Sequence, residues 1–208
     1  MRLVNISMYT YVHRMSKKRP YTLRKRAKSQ EETRQKIVEA AMQLHETLGP
    51  RETTISAIAE KAGVQRLTVY RHFPDDAAIF QACTAHWLDL NPPPDPARWQ
   101  ALSGEAAIET ALAAWYAYFR GTGTMWDATY RDAASTPAIQ EPFKAFRTHM
   151  RDTGDALAAQ YGATAPDSPV ARTIRHVLGF PVWQEFAGEG MADEEIVRLA
   201  LAWIRGAG

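Results

Sequence analysis

Residues 54–73, Thr54-Ile-Ser-Ala-Ile-Ala-Glu-Lys-Ala-Gly63-Val-Gln-Arg-Leu-Thr-Val-Tyr-Arg-His-Phe73, leave this chain few folds to choose from. Ile55, Ile58, Ala59 and Ala62 recur at i, i+3, i+4 and i+7, which makes one apolar helical face. Thr54 can cap that helix, because its hydroxyl accepts a bond from an orphan first-turn amide. Gly63 stands where the chain must reverse through positive φ, at little cost to glycine. Val64, Val69 and Phe73 can then turn inward. Gln65, Arg66, Leu67, Thr68, Tyr70, Arg71 and His72 are left facing out. Two short helices about a glycine turn, the second with a polar outer face, make a helix-turn-helix. Arginine pairs bidentately with a guanine edge and glutamine with an adenine edge. Arg66 and Gln65, at the start of the second helix, therefore suit the reading of bases.

Ala62-Gly63-Val64 followed by Thr68-Val69-Tyr70-Arg71-His72-Phe73-Pro74 resembles the TetR (tetracycline-repressor) family of bacterial transcription regulators, over roughly residues 31–90. The resemblance implies an all-α chain. A three-helix DNA-binding domain with a connector helix would precede a helical bundle for ligand binding and dimerisation. It implies a homodimer that binds double-stranded DNA at a palindromic operator, commonly as a repressor, and is released by a small hydrophobic effector. By the same resemblance Thr54, Thr68, Tyr70 and His72 match phosphate contacts. Leu67, at a groove-facing position, would meet a thymine methyl, and Ser56 stands where a base-contacting arginine is frequent. Two departures stand out: Ser56 lacks the reach of arginine, and Asp76 occupies a position where relatives often carry a phosphate-binding lysine. They keep open a second reading, a helical ligand- or protein-binding adaptor that has lost DNA affinity.

Charge is placed unevenly. The net +2 divides into nine basic and no acidic residues over residues 1–30, and an acidic excess over the remainder. Residues 1–28 are expected to form a flexible basic arm lying along phosphates or in a minor groove. No apolar run reaches the roughly 18 residues that span a bilayer, and the N-terminus lacks the apolar core of a secretion signal. Cys83, the one cysteine, fits a reducing compartment, and the expected location is cytoplasmic. There is no glycine-rich phosphate loop, nucleophile elbow or histidine pair at metal spacing, so no catalysis, metal or cofactor is expected.

Helical periodicity runs through the rest. Ser29-Gln-Glu-Glu32 reads as a capping box opening the first helix, with Ile37, Ala41, Leu44 and Leu48 on its apolar face. The connector helix follows Pro74, and Asn91-Pro-Pro-Pro-Asp-Pro96 ends the domain. This places a DNA-binding domain at residues 29–90 and an effector-binding and dimerisation domain at 97–208. Nine helices are expected in all, with breaks at Gly121 and Gly123 and a kink at Pro181. The resemblance assigns Trp115, Tyr116, Phe119, Trp126, Tyr130, Phe146, Met150 and Trp183 to helices around an effector pocket, with Tyr130, His149 and His176 as polar anchors. Val177, Trp183, Leu199, Trp203 and Ile204 form the apolar stripes expected at a dimer interface.

Overall fold

The computed structural model describes residues 18–163 and 165–208, without the side chains of residues 18–22. The part of the basic arm before Lys18 lies outside the described residues. Four helices make the N-terminal unit: α1 (Lys18–Thr47), α2 (Ile55–Lys61), α3 (Arg66–His72) and α4 (Asp76–Leu90). α1 starts eleven residues before the capping box. Arg24, Lys25, Arg26, Ala27 and Lys28 all propagate a helix well, so the segment continues upstream. Ser29 ends inside it, its carbonyl accepting the Thr33 hydroxyl at 2.9 Å. The later part of the arm is therefore a helical extension with residues 23–30 exposed.

After the proline spacer come a single turn, α5 (Ala97–Gln100), and the long α6 (Gly104–Asp132). A 3₁₀ turn (Pro137–Ile139) leads into α7 (Gln140–Tyr161), then α8 (Pro169–Val177), α9 (Phe180–Gly188) and α10 (Asp193–Gly206). α6 passes through Gly121 and Gly123 without a break. Interior glycine costs a helix only about 1 kcal/mol, and the buried Phe119 and Trp126 on either side anchor the helix to the core. The predicted kink at Pro181 is a full break. Gly179 caps α9 with extended backbone (φ −73°, ψ 138°), and Pro181 falls in the first turn, where its missing N–H costs nothing.

Two cores interlock. Ile37, Ala41, Ile58, Val69, Phe73 and Ile79 fill the first, which also receives Ala133 and Ile139 from the C-terminal half. Trp115, Tyr116, Phe119, Leu157, Ile174 and Phe180 fill the second, which takes Trp87 from α4. A buried carboxylate joins the halves again. Asp132, at the end of α6, accepts the Arg51 backbone N–H (3.1 Å) in the turn that leads to α2. Arg131 completes the clamp, its Nε 3.1 Å from the same carboxylate and its guanidinium donating to the Leu48 carbonyl.

Candidate nucleic-acid interface and ligand cavity

The glycine turn forms as its sequence requires. Thr54 Oγ1 accepts the Ala57 N–H at 3.2 Å, and Gly63 takes φ +66°. The Val64 N–H closes the turn on the Ala59 carbonyl at 2.9 Å. Val69 and Phe73 are buried beneath α3, and Arg34 of α1 lies over the Phe73 ring at 5.0 Å. Those anchors decide which side of α3 faces water. Gln65, Arg66, Leu67, Tyr70 and Arg71 are exposed, with Thr68 and His72 half-buried. Leu67 keeps 59% and Tyr70 45% of its surface, so both side chains stand free on the outer face of α3. Gln65 occupies the cap position of α3 but makes no side-chain cap bond, so its amide remains available. Thr54 and Ser56 are exposed on α2, and the capping hydroxyl of Thr54 still has its own proton to donate. Asp75 caps α4 by accepting the Ala78 N–H at 2.8 Å, and exposed Asp76 sits in that helix's first turn. An acid there stabilises the helix's positive end, which gives Asp76 a local structural role.

A cavity of about 400 Å³ lies between the two halves. Its wall takes Met42 and His45 from α1, and Phe80, Cys83 and Trp87 from α4. Tyr118 and Trp126 of α6, with Phe143, Phe146 and His149 of α7, close the other side. Among the described residues, no lysine, arginine, aspartate or glutamate lines it. His45 is almost fully buried and stacks on Phe80, with centroids 4.2 Å apart. Burial pulls its imidazole down to about 4, so the ring is neutral at pH 7. Its Nδ1 lies 3.3 Å from Cys83 Sγ, and burial pushes that thiol up to about 12. The Cys83 thiol is therefore packing rather than a nucleophile. Trp126 packs against Phe146 with centroids 4.0 Å apart, and its buried indole N–H has no hydrogen-bond partner among the described residues.

Of the ten residues assigned to a pocket from sequence, Trp126, Phe146 and His149 line this cavity. Tyr130, Met150 and His176 lie instead in a separate groove beside α7 and α8. Trp115, Tyr116, Phe119 and Trp183 line neither space. Tyr116 spends its hydroxyl on the buried Val177 carbonyl (2.7 Å), and Trp183 donates to Asp193 (2.9 Å). The Arg120 guanidinium beside Asp193 holds that carboxyl below its usual range. Aromatic spacing on α6 could not separate core from wall, because its rings pack in continuous contact from Trp115 to Trp126. The contributions of α1 and α4 are nearly silent in the sequence. Their one signal is His45, a histidine on an otherwise apolar face. Among the stripe residues, Val177, Trp183 and Ile204 are buried within the chain, whereas Trp203 keeps 39% exposure beside Phe186.

Residues 37–83 match the family model described as bacterial regulatory proteins, tetR family. The HTH-type transcriptional regulator SrpR of Pseudomonas putida is 43% identical over 75 residues, covering 35% of this chain and 35% of SrpR. The HTH-type transcriptional regulator TtgW of the same species is 41% identical over 75 residues, 35% of this chain and 56% of TtgW. The matches thus span about a third to just over half the length of these relatives. Along most of its length the chain shares the fold of NalD, the secondary repressor of the MexAB-OprM multidrug efflux pump in Pseudomonas aeruginosa. That superposition has a TM-score of 0.59 at 17% identity and covers 86% of this chain and 96% of NalD.

Proposed function

We propose that this chain, whose N-terminal domain belongs to the TetR family of bacterial regulators, is a ligand-responsive, sequence-specific DNA-binding repressor. Two copies bind a palindromic operator, since one short helix reaches too few base pairs alone. Arg66 and Gln65 read base edges at the start of α3, and Leu67 meets a thymine methyl. Thr54, Thr68, Tyr70, Arg71 and His72 hold phosphates, so they set register without specifying sequence. The exposed Trp203 and the neighbouring Leu199 are the part of α10 left to a partner protomer.

The effector is a neutral, largely apolar molecule bound in the cavity between α1, α4, α6 and α7. A lining without lysine, arginine, aspartate or glutamate gives a charged ligand little to replace its lost hydration. The unpartnered Trp126 N–H favours a compound that carries a hydrogen-bond acceptor. The observation that carries this reading is the origin of the wall. His45 and Phe80 come from the DNA-binding unit and Phe146 from the sensor, so one ligand touches both. A ligand that fits one separation of the halves better than the other shifts that equilibrium, and with it the spacing of the two reading helices.

A thermal-shift screen of neutral aromatic compounds, followed by mobility shift on DNA upstream of the chain's own gene, tests this. Hits should raise Tm and release the DNA, and Thr84→Trp, which puts an indole at a cavity-lining position of α4, should abolish both effects. Hits that bind wild type and Thr84→Trp equally would move the effector elsewhere. Asp76 and the short Ser56 favour the second reading, an adaptor without DNA affinity. A stable dimer that ignores every upstream duplex at low salt would establish it.

A further inference from the structure

Half of the ten basic residues in residues 97–208 line one groove, although thirteen acids leave that segment net negative. Lys144, Arg147 and Arg151 fall at i, i+3 and i+7 on α7, and Arg172 and Arg175 face them from α8. Gly154 lets the two helices close. A Cβ there would stand 2.6 Å from Arg175 Cγ and 3.3 Å from its Cα. Arg175 is held by Asp155, and Arg172 by Asp167 at 3.4 Å. Among the described residues, Lys144, Arg147 and Arg151 have no acidic partner within 4.0 Å. The Arg147 guanidinium lies over the Phe143 ring, 5.3 Å from its centroid, and a stacked guanidinium keeps its in-plane N–H groups free to donate.

We propose that this groove binds a small polyanion, bearing phosphate groups or several carboxylates, as a second ligand site separate from the apolar cavity. Guanidinium forks match phosphate and carboxylate geometry bidentately, and a cleft lined by one sign of charge concentrates counter-ions. About 800 Å³ of groove, floored by Tyr130 and Met150, accommodates a ligand larger than a lone inorganic ion. The groove and the cavity share no lining residue: Phe143 and Phe146 face the cavity, and Arg147 and Arg151 the groove. Three unpaired cations on one helical face repel each other when empty, so an anion there should stabilise the fold.

Pyrophosphate and citrate, titrated calorimetrically and by thermal shift into the full chain at 50 mM NaCl, supply the probes. Binding with a raised Tm is expected for at least one, and the one preferred separates phosphate from carboxylate recognition. Arg147→Gln with Arg151→Gln should weaken it about 100-fold, since two charge-assisted bonds are removed. Arg66→Gln with Arg71→Gln, on the reading helix, should leave it unchanged. Lys144→Glu, at an exposed position, gives the same readout should the double variant fold poorly. No binding of either probe to wild type would overturn the proposal. So would binding that follows the reading-helix variant and ignores the groove variants.

Discussion

The reading surface and the cavity are built on opposite principles, although the same N-terminal unit serves both. The reading surface is convex, polar and local: Gln65 to His72 are consecutive, and two anchors, Val69 and Phe73, orient them all. The cavity is concave, largely apolar and assembled from distant segments, running from Met42 to His149. A local surface tolerates change in its neighbours, because its geometry is set within one turn of helix. A cavity between packed halves does not. Its shape depends on how α1 and α4 pack against α6 and α7, and on the proposed function that dependence would let a ligand be felt at the DNA-binding end.

The largest effect should arise at the cavity's buried histidine. Its imidazole sits well below the ordinary value near 6.5, so the unfolded chain binds the proton more readily than the folded one. At pH 7 both forms are neutral and no stability is forfeited. As pH falls from 6.5 to 4, His45 should withdraw about 3 kcal/mol of stability, the full amount being reached only below pH 4. Urea unfolding of wild type against His45→Phe across this range measures the difference, and parallel curves would show that water reaches the ring.

Next comes the helical extension. Replacing Arg24, Lys25, Arg26 and Lys28 by Gln should weaken operator binding on the order of 100-fold. The salt slope should become shallower by about 0.9 for each phosphate no longer neutralised. An unchanged slope would confine the footprint to the helix-turn-helix. Arg66→Ala should cost about 1–3 kcal/mol of binding and relax preference at one base pair, without altering the slope beyond one charge. Competition between duplexes differing at single positions reads this directly. The smallest effect belongs to the scaffold. Gly121→Ala, with nothing within 4 Å of the added methyl, should stabilise the fold by about 0.5–1 kcal/mol and leave both sites alone.

The same contrast explains what was legible in the sequence. The helix-turn-helix could be read residue by residue, because Thr54, Gly63 and the apolar spacing act over a few positions. The helical character of the remainder and the break at Asn91–Pro96 were readable for the same reason. Where signals were local but outweighed, reading failed. The Ser29 capping box lost to strong helix formers upstream, and the glycines of α6 lost to the buried aromatics beside them. The cavity wall was only partly legible. Whether a given ring on α6 turns to the core or to the cavity is decided by partners far along the chain. Tyr116 pairs with Val177 and Trp183 with Asp193, which removes both from the wall. His45 had no local signal beyond its place on an apolar face.

Footprinting of the full chain on DNA upstream of its own gene, at 50 mM salt with the bound stoichiometry measured in parallel, tests the central claim most directly. Two protected half-sites about one helical turn apart are predicted, occupied by two protomers, with protection abolished in Arg66→Ala. Protection by a single protomer, or none at any upstream sequence, would contradict it.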